Sequence, residues 1–274
     1  MSRSNKIILT FSWLSLFLTV AFAVTPAASQ TPPQSVAKTP DKKTILEKAL
    51  HTYYILENQG LKSFQCTVQP DWKKFTDAVI PKPTTGEDPR LALLLPVQYS
   101  VAVDIQGDPK ITPILTTGGT LDPSVQGVVA GIQQTVLGFF QSWDSLVLSS
   151  FFSPSQEAAY TISEQPNGYK ITEISGELNI EVLLTKDFLL TTMKSTAPGM
   201  VIFQKPQYTR TDKGLLMTGM DDDINNGSQK VNIQIQYQTI EGFQLPGKVT
   251  YQVTFSGQTI PMDFTITKYQ LPKR

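Results

Sequence analysis

From Tyr160 to Ile266 apolar and polar residues alternate with a period of two, segment after segment, and few folds tolerate that pattern over such a length. Val231, Ile233, Ile235 and Tyr237 fall on one face of an extended segment, with Asn232, Gln234, Gln236 and Gln238 on the other. Val249, Tyr251, Val253 and Phe255 repeat the scheme against Thr250, Gln252, Thr254 and Ser256, and Met262, Phe264 and Ile266 repeat it again. Earlier, Leu178, Ile180, Val182 and Leu184 alternate with Glu177, Asn179 and Glu181. Successive side chains of a strand point to opposite faces, so each segment has one face to bury and one to hydrate. Asn167-Gly168 predicts a tight hairpin between Tyr160–Ser163 and Tyr169–Ile174. Lys186-Asp187, Pro198-Gly199 and Asn226-Gly227 mark further turns, the last within a polar loop spanning Asp221–Ser228. Short connections of this kind predict an antiparallel meander of roughly eight to ten strands.

A one-sided sheet needs a cover, and the first half of the chain supplies helices. Ile45, Leu46, Ala49, Leu50, Tyr53 and Tyr54 recur at helical spacing, predicting a helix over 44–59 with a stop at Gly60. Phe64, Cys66 and Val68 then alternate as a strand, and Pro70-Asp71-Trp72 opens a short helix ending before Pro81. A loop at 81–90 and a strand at 98–106 follow. Asp122 and Pro123, as cap and first helical residue, open a long helix toward Leu148. No formal charge lies between Asp122 and Asp144, yet Gln126, Gln133, Gln134 and Gln141 make this a poor membrane span. A largely buried helix is expected. The fold class is therefore α+β: a large curved antiparallel sheet, an unclosed β-barrel, with helices covering its apolar concave face.

The N-terminus carries an address. Arg3 and Lys6 precede an apolar run from Ile7 to about Leu18, and Ala21 and Ala23 follow, the parts of a signal peptide over residues 1–23. Cleavage after Ala23 is the first choice and after Ser29 the alternative. Residues 24–41, rich in Pro, Ser, Thr and Ala, read as a disordered linker. One domain over 42–274, with a helical insertion around 81–148, completes the plan. Periplasmic or secreted localisation follows.

Composition excludes several chemistries. One His and one Cys cannot furnish a zinc site, and a single Cys cannot form an internal disulfide. With 23 basic and 23 acidic residues there is no excess positive charge for nucleic acid. His51 could serve as a general base, but no nucleophile motif accompanies it, and a helix-surface position is the simpler reading. Cys66 reads as a small inward hydrophobe. Asp221, Asp222 and Asp223 resemble a calcium loop only superficially: Asn226 stands where glycine is required, and the twelfth positions are Asn232 and Ile233. Glu177 and Glu181 are expected on the hydrated face and form no glycosidase pair. Met193, Met200, Met217, Met220 and Met262 all lie in the sheet region, where flexible thioethers suit an adaptable pocket or fill gaps in a core.

The order of elements resembles the periplasmic lipoprotein carriers and related lipid-binding proteins, in which helices lid an unclosed β-barrel. The resemblance rests on the first helix running into Leu61–Val68, on the meander, and on Gly242-Phe243-Gln244-Leu245-Pro246 with Lys248-Val249 after it. In that family a Gly-hydrophobe-x-x-Pro turn precedes a hairpin closing the sheet. The resemblance implies an apolar cavity for acyl chains. A monomer without cofactor is expected, and no enzymatic activity, since no catalytic constellation is present in the sequence. The expected lining is Ile233, Ile235, Tyr251, Val253, Phe264 and Ile266, with Val136, Phe139 and Phe140 opposite. The expected ligand is a lipid or lipoprotein acyl chain, with a role in outer-membrane lipoprotein sorting and an envelope protein as partner. The alternative is a structural or assembly module of the cell envelope without a small ligand.

Overall fold

The computed structural model describes residues 41–79, 88–105, 107–150, 152 and 158–272. The expected signal peptide and nearly all of the expected linker lie outside them. Among the described residues thirteen strands build one antiparallel sheet that does not close. The first three, β1 (Ser63–Pro70), β2 (Val97–Asp104) and β3 (Lys110–Leu115), form one margin. A meander of β4 (Tyr160–Gln165), β5 (Gly168–Ser175), β6 (Leu178–Thr185), β7 (Leu190–Ala197) and β8 (Met200–Thr211) begins at the other. It continues through β9 (Gly214–Ile224), β10 (Gln229–Ile240) and β11 (Phe243–Phe255). The short β12 (Gln258–Pro261) pairs with β11 alone, and β13 (Phe264–Gln270) joins β11 to β1. Edge strand β3 carries Pro113, which has no N–H to offer a further strand.

The alternation in the sequence translates directly into sidedness. In β10, Val231, Ile233 and Ile235 are buried while Gln234 and Gln236 are exposed. Pro246 sits inside β11 where the register slips by one residue opposite Gln236 and Tyr237. The slip lets a residue that cannot donate occupy an interior strand. The expected hairpin forms, but its turn is Pro166-Asn167 and Gly168 already begins β5, where only glycine fits: a Cβ on Gly168 would lie 1.7 Å from the Leu184 carbonyl oxygen.

Among the described residues four α-helices accompany the sheet: α1 (Lys42–Thr52), α2 (Trp72–Val79), α3 (Pro89–Leu94) and α4 (Gln126–Trp143). The molecule is mostly sheet, so α+β describes it only roughly. Asp122 caps the entry to α4 as expected, accepting the Ser124 N–H at 2.8 Å. A π-helical turn over Asp144–Leu148 continues α4, and both its apolar residues and Asp144 are buried. In the first half of α4 Gln126, Gly127, Ala130, Gly131 and Gln134 face water, while Gly138, Phe139, Phe140 and Trp143 are buried. Of the glutamines that spoil a membrane span, Gln126 and Gln134 are hydrated, while Gln133 and Gln141 are partly buried. No helix among the described residues is long and apolar enough to cross a membrane.

Several expectations are corrected. Among the described residues the sheet has thirteen strands, exceeding eight to ten; β3 lies at an edge with neither face deeply buried, and β12 is only four residues long. The first helix stops at Thr52, short of 59. Tyr53 joins Leu215 in a parallel bridge and the Tyr54 N–H donates to the Leu215 carbonyl at 2.9 Å, so the sheet captures the backbone. Gly60 instead ends a 3-10 turn over Glu57–Gln59, with φ of 91°. The region 81–148 is not a helical insertion, since β2 and β3 within it belong to the sheet. Residues 89–90, expected as loop, begin α3 under an Asp88 cap, and 81–87 lie outside the described residues. The segment 242–246 is not a turn: β11 starts at Phe243, and the reversal occurs at Glu241-Gly242. Asp221–Ile224 is the end of β9, leaving a turn only at 225–228.

Candidate functional site

Six of the nine expected lining residues form a continuous patch on neighbouring strands. Ile233 stands opposite Tyr251, Val231 opposite Val253, and Phe264 opposite Val249, so β10, β11 and β13 present one apolar face. Ile266, opposite Val68, extends it to β1. Helix α4 lies on this face. The Phe139 ring meets Phe264 at 5.3 Å between centroids in an edge-to-face arrangement and Phe140 at 5.1 Å. Phe140 turns toward Phe64 of β1 at 6.3 Å, and Trp143 approaches the same ring at 6.0 Å. Val136, Phe140 and Ile266 retain no accessible surface, and all nine residues belong to one buried cluster.

Polar contacts fix the helix along its length. The Tyr99 hydroxyl donates to the Val129 carbonyl at 2.7 Å, and the Gln133 amide donates to the Ile111 carbonyl at 2.8 Å. The Thr135 hydroxyl lies 3.2 Å from the Met262 sulfur. At the far end the Trp143 indole N–H donates to the Tyr237 hydroxyl. Helix α4 therefore touches β1, β2, β3, β10 and β13, crossing the sheet between its β3 margin and its middle.

The remaining half of the same face contains polar groups that the sequence did not announce. One cross-strand row runs Ile171, Val182, Met193, Gln204, Asp222, Val231, Val253 from β5 to β11. Every member is buried, and the two polar ones stand side by side in the middle. The Gln204 amide nitrogen lies 3.3 Å from Asp222 Oδ1 and 3.4 Å from the Met220 sulfur. Asp222 Oδ2 has no hydrogen-bond partner, and neither has Ser195 Oγ, two residues along β7 from Met193. Burial pushes the Asp222 carboxyl up to about 7, against the pull of the Gln204 amide, and the neighbouring Asp221 charge adds to the rise. The triple-aspartate motif hid this: alternation with Met220 and Ile224 was the signal that Asp222 points inward.

Asp221 and Asp223 point outward, into an open cleft of about 590 Å³ with Lys205 and Lys230. Asp221 accepts from Asn232 Nδ2 at 2.6 Å and Gln207 Nε2 at 2.9 Å. Among the described residues no group of three or more His, Cys, Asp or Glu converges as a metal site would require. His51 is exposed on α1. Cys66 is buried, and burial pushes its thiol up to about 12, where it behaves as a hydrophobe. Glu177 is exposed in a turn, and Glu181 pairs with Lys170 at 2.9 Å. Of the five methionines, Met193, Met217 and Met220 are buried in strands, while Met200 and Met262 pack at the margin of the core. Compared with protein-family models, with curated proteins and with solved structures, the chain matches none.

Proposed function

We propose that this chain is a non-catalytic, monomeric extracytoplasmic carrier that holds a lipid or lipoprotein acyl chain on the concave face of an unclosed barrel, with α4 as a displaceable cover. One observation carries the reading: α4 sets the Phe139 ring against Phe264 of β13, where the apolar patch of β10, β11 and β13 begins, with Val136 and Phe140 in the same buried cluster. An acyl chain offers that patch the same methylene contact. Exposing the three side chains costs about 1.5–3 kcal/mol each, and burying a dozen methylenes returns about 0.8 kcal/mol apiece. An acyl chain thus offsets the exposure of these three side chains. Sorting of lipoproteins toward an outer membrane, through contact with an envelope protein, is the setting this chemistry suits.

A covalent tether tests the exchange. Thr135→Cys with Met262→Cys, oxidised to a disulfide, ties α4 to the sheet. The tethered protein should exclude a fluorescent acyl ester, and reduction or omission of the tether should restore uptake. Equal uptake in both forms would remove α4 as the cover. The second reading, an envelope assembly module without a small ligand, is favoured by the complete burial of the nine residues. It is the outcome if neither form takes up the probe.

A further inference from the structure

A sheet face built only to hold alkyl chains has no use for a carboxylate. Yet Asp222 and Gln204 occupy adjacent places in the buried row described above, with Ser195 diagonal to Gln204 across β7 and β8. Asp222 Oδ2 and Ser195 Oγ are both buried and both without a partner. Buried polar atoms are nearly always paired, and an unpaired one calls for a reason. The cluster is also placed where a ligand would end. Val231 and Val253 continue the row into the apolar patch, and Met220, which faces Gln204, stands opposite Ile233.

We propose that Asp222, Gln204 and Ser195 form the head-group end of the acyl site and accept a ligand whose head donates hydrogen bonds, a hydroxyl or an amine. The assignment rests on the carrier reading above and narrows its ligand class. The tail lies over Ile233, Tyr251 and Val253, and the head reaches Asp222 Oδ2. Charge disposition argues against an anionic head. The nearby lysines, Lys205 and Lys230, line the cleft on the opposite face of these strands, and Lys194 lies 5.4 Å from the ring of outward-facing Phe203. A fatty-acid carboxylate or a phosphate would meet Asp222 with no cation from this row to offset it.

Lipids with one tail and different heads test the assignment on the mature chain: monopalmitoylglycerol, palmitylamine, methyl palmitate and palmitic acid, each displacing a pyrene-labelled alkane. The glycerol ester and the amine should bind at least about tenfold more tightly than the methyl ester, and palmitic acid should bind most weakly. Binding by only one of the two donors would identify which head the site accepts. Asp222→Leu should erase the preference while keeping methyl ester binding. Should that variant not fold, Ser195→Ala and the wild-type ranking still decide. Equal binding of glycerol and methyl esters by the wild type would overturn the head-group site and leave the carrier reading intact. Failure to bind any of them, or the alkane, would overturn both.

Discussion

The indole nitrogen of Trp143 donates to the hydroxyl of Tyr237 at 3.1 Å, and that hydroxyl donates onward to the Met217 carbonyl at 2.6 Å. One phenol thus connects the end of α4 to β10 and, through it, to β9. Tyr237→Phe would strand a buried indole N–H and a strand carbonyl together. The expected loss of stability is about 1–3 kcal/mol, measured by urea denaturation. Uptake of an acyl probe should become faster, because the helix loses its C-terminal tie. Unchanged stability would mean that water replaces the phenol.

Phe139 and Phe264 provide the central contact between helix and sheet. Phe139→Ala should cost about 3–5 kcal/mol, in the range for a large ring removed from a packed core. In a double-mutant cycle with Phe264→Ala, a coupling of about 0.5–1.5 kcal/mol is expected from the edge-to-face geometry. Strictly additive losses would show that the two rings do not meet in solution.

Asp222 imposes a pH dependence whose direction is fixed. Its carboxyl titrates near 7 in the folded protein and near 4 in the unfolded chain. Between those values the folded state holds a proton that the unfolded state has released, so stability falls as pH rises from about 4 to about 7. Below that window the contribution is fully present, and above it the loss, on the order of 4 kcal/mol, is complete. The groups facing Asp222 are Gln204, Val231 and the Tyr251 phenol, whose own proton burial holds well above this range. Asp222→Asn should therefore flatten the profile of melting temperature against pH relative to wild type. Parallel profiles for the two proteins would show that Asp222 is solvated.

Much of the sheet was legible because burial on one face imposes a period that no other structure shares. Val231–Tyr237 and Val249–Val253 declared themselves, and so did the turns at Lys186-Asp187 and Pro198-Gly199, whereas Phe255, expected on the apolar face, is exposed at the end of β11. What stayed hidden was set by distant partners. Tyr53 leaves its helix for Leu215, a residue the local pattern cannot see. Strand β3, Lys-Ile-Thr-Pro-Ile-Leu, lies at an edge where neither face is deeply buried, so its alternation is faint. The apolar half of the candidate site followed from alternation alone. The polar half did not, because a run of three aspartates reads as a solvated loop until Met220 and Ile224 place the middle one on the inner face.

Strand β1, the first strand among the described residues, is zipped between β2 and β13, the last among them, with Val68 opposite Ile266. Such pairing joins segments separated by almost the whole polypeptide, a loop closure that is entropically expensive and slow. Chain emerging in order from a ribosome can form β2 and β3 against β1, but the other flank of β1 waits until β13 arrives. The half-built sheet exposes that flank and its apolar face meanwhile, a hazard for association. The same delay keeps the nascent chain threadable, since its last strand is what locks the first in place.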